Sequence, residues 1–390
     1  MISDFKFRHL EQLSEEQESV LQLPSDQNVV IEGGPGTGKT YLAVSRAESL
    51  SRQGLRTLLL VQSRLLMRRI QEVQPKTSWE TVEFYTINAD GSYDYHDFNS
   101  YYNVYTYMSW ISEMYLQRFG EHYPLIGRDC PDWETIEKQL SGLGRIYDQI
   151  IVDEGQDFPA PLLRSLRSLA ATVTVFIDPF QAMESTKTST NVAAYVLSAD
   201  VYHLSINYRC TREINTFSCL YRGKDDVLPN EDAVGTRPVL ISCKSSSEQI
   251  EKIKEIILAS KGRSIGIILD TRPARVMWEE LKMALKWEMP VQLYQPRSYR
   301  DFDFETEGVK IVSYGNVKGL EFDIVILPSF TRVASTGSSS ADLARIHIAT
   351  SRAKEQLLLF EVKEETSYSS KWIDTKEILS QNKGSFVKVN

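Results

Sequence analysis

A glycine-rich loop near the amino terminus carries the residue types that hold a phosphate chain. Gly33, Gly38, Lys39 and Thr40 satisfy the spacing G-x-x-x-x-G-K-[ST], after the β-rich run NVVIEG and before a run typical of a helix. Backbone N–H groups of such a loop can surround phosphates, the lysine can neutralise their charge, and the threonine hydroxyl can bind Mg²⁺. The loop therefore predicts a site for a nucleotide. Its predicted binding residues are Gly33, Gly34, Pro35, Gly36, Thr37, Gly38, Lys39 and Thr40.

Two acidic residues follow a second apolar run, in the segment YDQIIVDEGQDF. The run predicts a strand, and Asp153 and Glu154 stand where that strand ends. Asp153 can hold Mg²⁺ together with Thr40, and Glu154 can act as the general base that polarises an attacking water. These residues predict hydrolysis of a bound nucleotide, with ATP and Mg²⁺ as the cofactors.

Further motifs follow in order along almost the whole chain. They are LSEEQESVL, TLLLVQSRLLMRRI, VYTYMSW, VFIDPFQAM, LSINYRCTREI, VSYGNVKGLEFDIVIL and IHIATSRAKEQLLL. Together with GGPGTGKT and DEGQD, they resemble the superfamily 1 helicases of the UvrD, Rep and PcrA type. The resemblance implies an α/β fold of two RecA-like P-loop NTPase domains. Each would be a mostly parallel sheet flanked by helices, with the ATP site in the cleft between them.

The resemblance also assigns roles to residues outside the loop. Gln17 would read the adenine edge, Tyr208 would stack on the adenine, and Gln181 would sense the γ-phosphate. Arg209 and Arg352 would be arginine fingers, which accelerate phosphoryl transfer by roughly 10³- to 10⁵-fold. Because these arginines would come from the second domain, hydrolysis would depend on domain closure.

Two further nucleotide contacts and a nucleic-acid surface complete the predicted site. Tyr41 stands where the family commonly has an arginine beside the adenine, and Glu321 lies in the segment KGLEF. Positions in the motifs that contact nucleic acid in the family are Ser63, Arg64, Thr106, Tyr107 and Lys318. For Arg64, a phosphate contact and an ordinary solvated helix face are both open interpretations.

Alternating apolar and helical runs divide the chain into two halves. Strands predicted at NVVIEG, RTLLLVQ, QIIVDE and TVTVFID form one parallel sheet, and strands at RPVLISC, SIGIILD, VKIVSYG and DIVILPS form another. We predict a first domain at residues 1–203, with a small aromatic-rich insertion at about 76–145, and a second domain at 204–390. Helices predicted at EQIEKIKEIILASKG and PARVMWEELKMALKW have apolar residues at helical spacing.

Composition limits the partners that the chain can have. A net charge of -8 and a pI near 5.4 argue against a broad surface that coats nucleic acid, although a local basic groove stays open. No run reaches the length of a membrane span and the first residues do not resemble a secretory signal, so we expect a cytoplasmic protein without a membrane partner. The four cysteines lie far apart, which is typical of reduced packing residues.

The segment from Phe84 to Tyr123 is unusually rich in aromatic residues. Three interpretations are open for it: packing on the sheet, a surface for a partner protein, or stacking on bases at roughly 1–3 kcal/mol per base. The family's stacking aromatics after Gln181 are absent here, because the chain reads AMESTKTSTN. The chain also lacks the large inserted subdomains of family helicases.

Two hypotheses on function follow. The first is a UvrD-like ATPase that translocates on single-stranded nucleic acid, with DNA favoured over RNA but both left open, and that acts with a partner protein such as a nuclease. The second is a nucleotide-controlled interaction subunit with little translocation or unwinding of its own.

Overall fold

A computed structural model describes residues 13–73, 84–87, 93–96, 102–127, 130–179, 188–222, 227–286, 288–294, 307–330, 340–363 and 375–389. Gln181 lies outside these residues. So do parts of the predicted insertion, at 76–83, 88–92, 97–101 and 128–129.

The described helices are α1 (Glu15–Leu21), α2 (Lys39–Arg52), α3 (Arg64–Val73), α4 (Tyr107–Phe119), α5 (Trp133–Ser141), α6 (Ala160–Leu169), α7 (Thr190–Leu197), α8 (Arg212–Cys219), α9 (Ser246–Ala259), α10 (Thr271–Leu285), α11 (Ser340–Thr350) and α12 (Thr375–Gln381). The described strands are β1 (Val29–Gly33), β2 (Thr57–Val61), β3 (Phe84–Ile87), β4 (Tyr93–His96), β5 (Asn103–Thr106), β6 (Leu125–Ile126), β7 (Cys130–Pro131), β8 (Tyr147–Val152), β9 (Ala170–Ile177), β10 (Asp200–Leu204), β11 (Ile206–Asn207), β12 (Leu228–Pro229), β13 (Val239–Cys243), β14 (Ile265–Leu269), β15 (Val291–Leu293), β16 (Val309–Ser313), β17 (Phe322–Leu327), β18 (Ala353–Val362) and β19 (Val387–Val389).

The first half of the chain forms a six-stranded parallel sheet with the strand order β10-β1-β9-β8-β2-β5. Its central strands are apolar and buried on both faces, as parallel strands covered by helices must be. Helix α2 packs on one face, where Leu42 joins the core around Ile31. Helices α4, α5 and α6 contribute to the core on the other face.

The second half forms a seven-stranded sheet with the order β15-β16-β14-β17-β18-β13-β19, and every pairing in it is parallel. Helices α8 and α11 supply buried residues to one core cluster, and α9 and α10 supply them to the other. The predicted α/β architecture of two parallel sheets flanked by helices is confirmed. The predicted apolar runs at both sets of strands lie in these sheets.

The sheets contain strands that the sequence analysis did not predict. Strands β5 and β10 lie at the two edges of the first sheet, where side chains are only partly buried and the apolar run is interrupted. Strand β18 is central in the second sheet, but it begins with the polar stretch Lys354–Gln356. The first sheet continues to Leu204, next to the division that we predict after residue 203.

Within the described ranges, no helix is both long enough and apolar enough to cross a membrane. All four cysteines are free thiols: Cys210 and Cys243 are buried, and Cys130 is exposed.

Candidate functional site

The glycine-rich loop connects β1 to α2 and has the backbone geometry of an anion site. Gly36 and Gly38 have φ angles of 77° and 94°, a region that glycine enters at little cost. Gly38 is the N-cap of α2, a helix of 14 residues, so the loop directs backbone N–H groups and the positive end of the helix dipole toward its own concave side. A Cβ atom on Gly36 would lie 2.0 Å from Asn207 Oδ1, which explains why this position has no side chain.

Lys39 lies inside the loop with its ammonium group held in place. Its Nζ donates to Gly34 O at 2.7 Å and to Asp178 Oδ2 at 3.3 Å, and both charged side chains are buried. The loop is tied further by Thr37 Oγ1, which donates to Gly34 O at 2.9 Å. A buried ammonium group at the mouth of a loop of N–H donors favours binding of a polyanion.

Thr40 and Asp153 meet although 113 residues separate them in the chain. The Thr40 hydroxyl donates to Asp153 Oδ2 at 2.7 Å, while Asp153 Oδ1 is buried and has no hydrogen-bond partner among the described residues. Burial, followed by the negative charge of Glu154, raises the pKa of Asp153 to about 7, although Thr40 and Lys39 act in the opposite direction. A hydroxyl beside an unsatisfied carboxylate oxygen fits the hard oxygen ligands that Mg²⁺ requires.

Glu154 has a left-handed backbone conformation, with φ 57°, at the start of a short 3-10 turn (Gly155–Asp157). The side-chain amide of Gln156 connects two parts of the site, because its Nε2 donates to Glu154 Oε2 and its Oε1 accepts from Asp178 N at 3.0 Å. The cost of a positive φ at a non-glycine residue is of order 1–3 kcal/mol, and such residues cluster at functional sites. The hydrogen bond from Gln156 Nε2 fixes the orientation of the Glu154 carboxylate.

Gln17 approaches the loop from α1. Its Oε1 accepts from Ser14 N at 3.2 Å in a capping box, and its Nε2 donates to Thr37 O at 3.0 Å. The side chain thus bonds the loop backbone, and its predicted contact with adenine stays a prediction. Tyr41 and Tyr208 are both half-buried, and stacking of either ring on a base also stays a prediction.

The second half of the chain reaches the loop through the segment after β10. Tyr208 N donates to Gly36 O at 2.8 Å. Asn207 is buried, and its Oδ1 accepts from Arg209 N at 2.9 Å and from Cys210 N at 3.2 Å. Arg209 Nε donates to Glu321 Oε2 at 2.9 Å, while Arg209 Nη1 is buried and has no hydrogen-bond partner within the described part of the chain.

Arg352 is 2% exposed and lies just after α11. Its Nε donates to Ile348 O at 2.9 Å and its Nη1 to Leu320 O at 3.4 Å. Burial lowers the pKa of Arg352 to about 10, and the charge of Arg209 adds to this effect, whereas Glu154 and Asp178 oppose it. Within the described part of the chain, the Arg352 guanidinium group forms no ion pair, although the charges of Glu154 and Asp178 act on it. A buried guanidinium group in this situation favours a further anion beside it.

The positions predicted to contact nucleic acid make contacts within the chain. Thr106 is buried and caps α4 by accepting from Ser109 N at 3.2 Å, and the Tyr107 ring lies 4.8 Å from the Phe158 ring. Ser63 Oγ accepts from Leu66 N at 3.4 Å, at the start of α3. Arg64 is exposed. Binding of nucleic acid stays a prediction for Arg64 and for the other four positions, Ser63, Thr106, Tyr107 and Lys318.

Lys318 is buried and forms an ion pair with the carboxylate that ends the DEGQD segment. Its Nζ lies 2.9 Å from Asp157 Oδ2 and 3.3 Å from Oδ1, and both side chains are only 5% exposed. Asp157 belongs to the turn that begins at Glu154, whereas Lys318 lies in the loop between β16 and β17. The pair therefore links the turn that carries Glu154 to the second half of the chain.

Lys318→Met is expected to destabilise the protein by about 3–5 kcal/mol, because it leaves the Asp157 carboxylate buried without this counter-ion. The double variant Lys318→Met with Asp157→Leu should recover most of that loss, since it removes both charges. Denaturant unfolding of the two variants measures the difference. The exposed pair Arg164–Glu137 is the control, and Arg164→Met should cost less than about 1 kcal/mol. Equal small losses in Lys318→Met and Arg164→Met would contradict the prediction.

The aromatic residues from Tyr102 to Tyr123 pack into the core. Every aromatic side chain from Tyr102 to Tyr123 is buried or half-buried, with Trp110 at 2% and Tyr115 at 0% exposure. Trp110 Nε1 donates to Tyr147 Oη at 3.2 Å, and the Tyr115 hydroxyl donates to Gln139 Oε1 at 2.6 Å. Of the three interpretations, this part of the segment favours core packing.

The sequence analysis assigns no role to two further residues, Arg222 and His347, although His347 lies within the segment IHIATSRAKEQLLL. A Cβ atom on Gly34 would lie 3.1 Å from Arg222 Nη1, so this arginine reaches the loop from the end of α8. His347 on α11 is buried, and burial lowers its pKa to about 4. Neither residue stands in a spacing that indicates a site. Arg222 reaches Gly34 because the chain after α8 packs against this glycine, and α11, which carries His347, packs on α8.

In a comparison with protein families, a model described as IstB-like ATP binding protein matches residues 2–81, which is less than half of the chain. A comparison with curated proteins finds no match.

Solved structures give likenesses over more of the chain. S. cerevisiae Dbp5 bound to RNA and ADP BeF3 is 15% identical, with a TM-score of 0.54 over 97% of this chain and 90% of that chain. Arterivirus nonstructural protein 10 (helicase) is 12% identical, with a TM-score of 0.41 over 89% of this chain and 61% of that chain. The C-terminal domain of a possible DNA helicase from Lactobacillus plantarum WCFS1 is 17% identical, with a TM-score of 0.35 over 46% of this chain and 98% of that chain.

The fold is thus that of the two-domain RecA-like P-loop NTPases, as the sequence predicts. The phosphate loop, Thr40 and Asp153 come from the first sheet of this fold, and Arg209 and Arg352 come from its second half.

Proposed function

We propose that the protein hydrolyses ATP in the cleft between its two halves and that nucleic acid controls this hydrolysis, as in a UvrD-like superfamily 1 translocase. The observation that carries the proposal is the hydrogen bond of 2.7 Å from Thr40 to Asp153, whose buried Oδ1 has no hydrogen-bond partner among the described residues. The match of residues 2–81 to an ATP-binding family supports nucleotide binding. The helicase-like motifs from Gln17 to Arg352 support the finer assignment.

Each residue has a chemical role in this proposal. Thr40 and Asp153 would hold Mg²⁺, which supplies charge stabilisation to the β- and γ-phosphates when it is bound. Lys39 would exchange its bonds to Gly34 O and Asp178 for phosphate oxygens. Glu154, oriented by Gln156, would accept the proton of the attacking water.

The second half supplies the groups that make hydrolysis depend on domain closure. Among the described residues, the buried Arg352 hydrogen-bonds to backbone carbonyls and forms no ion pair, and Arg209 Nη1 has no hydrogen-bond partner. Both guanidinium groups would act on the developing charge of the transferred phosphoryl group. Gln181, which lies outside the described residues, would sense the γ-phosphate.

The proposed partners are single-stranded nucleic acid, with DNA preferred over RNA, and a protein such as a nuclease. The RNA in the Dbp5 structure is bound by that protein and lends support only to a nucleic-acid ligand of some kind. The contacts that Lys318, Thr106 and Tyr107 make within the chain favour the second candidate, a nucleotide-controlled interaction subunit with little translocation of its own.

ATPase measurements with Mg²⁺ alone, with single-stranded DNA and with single-stranded RNA test the proposal. We expect hydrolysis that single-stranded DNA stimulates more than RNA does. Lys39→Ala should lose nucleotide binding, whereas Arg272→Ala, an exposed change on α10, should match the parent. Hydrolysis that neither nucleic acid changes would favour the interaction subunit, and absence of any Mg²⁺-dependent hydrolysis in the parent would reject the ATPase.

A further inference from the structure

Arg222 lies directly on the phosphate loop. A Cβ atom on Gly34 would be 3.1 Å from Arg222 Nη1 and 2.0 Å from Val227 Cγ2, so the chain after α8 packs against this glycine. Any side chain at position 34 would displace that segment. The absence of a side chain at Gly34 therefore brings a guanidinium group next to the loop backbone.

Arg222 and Lys39 approach the same residue of the loop. Lys39 Nζ donates to Gly34 O at 2.7 Å, and Arg222 Nη1 lies on the Cβ side of Gly34. The guanidinium nitrogens of Arg222 are shielded from solvent. The lysine of this loop motif reaches the outer phosphates of a nucleotide, so a guanidinium group beside the same glycine lies close to where those phosphates would bind.

His347 gives an independent indication of where these cations lie. Its Nδ1 donates to Ser218 O at 3.0 Å, and its buried Nε2 has no hydrogen-bond partner within the described ranges. Burial lowers the pKa of His347 to about 4, and the charges of Arg222 and Arg352 add to this effect, while Ser218 and Asp178 oppose it. One neutral ring therefore interacts with both arginines and with Asp178, the carboxylate that binds Lys39.

We propose that Arg222 binds the terminal phosphate of the nucleotide and enables the site to distinguish a triphosphate from a diphosphate. This inference rests on the proposed ATP site, to which it adds a third arginine beside Arg209 and Arg352. Helix α8 begins three residues after Arg209 and ends three residues before Arg222, so a contact at the terminal phosphate also fixes the position of that helix.

Dissociation constants for ADP and for a non-hydrolysable ATP analogue, both with Mg²⁺, test the inference in the full chain. Arg222→Ala should weaken binding of the analogue by about tenfold or more, the effect of one charge-assisted hydrogen bond, and should change ADP binding by less than about twofold. Arg222→Lys should recover part of the loss, because it restores a positive charge. Arg272→Ala on α10 is the control and should leave both constants unchanged.

Arg222→Gln keeps most of the side-chain length and provides the decisive measurement if the alanine variant does not fold. Its midpoint of thermal unfolding without nucleotide should match the parent. An unchanged ratio of the two dissociation constants in Arg222→Gln would overturn the inference, and so would an equal loss for both nucleotides. If the parent binds neither nucleotide, the proposed ATP site is wrong and the inference is wrong with it. If the parent binds both nucleotides and the Arg222 variants keep its ratio of dissociation constants, only the inference is wrong.

Discussion

Replacing Arg352 with alanine is expected to lower the rate of ATP hydrolysis by about 10³-fold or more while changing ATP affinity much less. The guanidinium group is 2% exposed and hydrogen-bonds to backbone carbonyls of Ile348 and Leu320. It is held rigid before any ligand arrives. A preorganised cation lowers the energy of the transition state most where negative charge develops, because the group does not have to reorganise during the reaction.

Single-turnover hydrolysis and equilibrium nucleotide binding separate the two effects. Arg352→Lys should not restore the rate, because an ammonium group lacks the planar fork that bonds to carbonyls and phosphate together. Arg345→Ala, on the preceding helix α11, is the control and should keep the parent rate; Arg345 pairs with Asp270 at 2.6 Å. A loss of affinity with unchanged turnover would show that Arg352 only binds the nucleotide.

Glu154→Gln is expected to reduce hydrolysis by about 10²- to 10⁴-fold and to retain ATP binding, because it removes the base and leaves the phosphate loop intact. The glutamine has nearly the same shape, and Gln156 can still hold it in place. The change also removes the negative charge that helps to raise the pKa of Asp153, so Mg²⁺ binding should not weaken.

Rapid-mixing measurements of ATP binding and phosphate release test this expectation. The control is Glu137→Gln, on α5, which removes a carboxylate that pairs with Arg164 at the surface. Parent-like turnover in Glu154→Gln would show that another group activates the water. The assignment of the DEGQD segment would then be wrong.

The phosphate loop could be predicted from the sequence because its conformation is local. Gly36 and Gly38 have positive φ angles that glycine adopts readily, and Lys39 and Thr40 follow them within one helical turn. The strands before the loop and before Asp153 are apolar on both faces, which is the signature of a covered parallel sheet. Parallel strands end at one edge, so the meeting of Thr40 and Asp153 follows from that architecture together with the motifs.

Tertiary packing decided which side chains reach the loop from elsewhere in the chain. The sequence assigns no role to Arg222 or His347. Arg222 reaches Gly34 because the chain after α8 packs against this glycine, and the charges of Arg222 and Asp178 act on His347 because α11 packs on α8. Lys318 was assigned from its motif to a nucleic-acid surface, yet the docking of the two halves buries it against Asp157. For the tyrosines from Tyr102 to Tyr123, the sequence leaves core packing, a partner surface and base stacking open, and tertiary packing decides for the core. The sequence by itself determined the local backbone and the apolar strands of the two sheets, because neighbouring residues set both. The contacts between the two halves, such as that of Lys318 with Asp157, depended on how the sheets and helices pack.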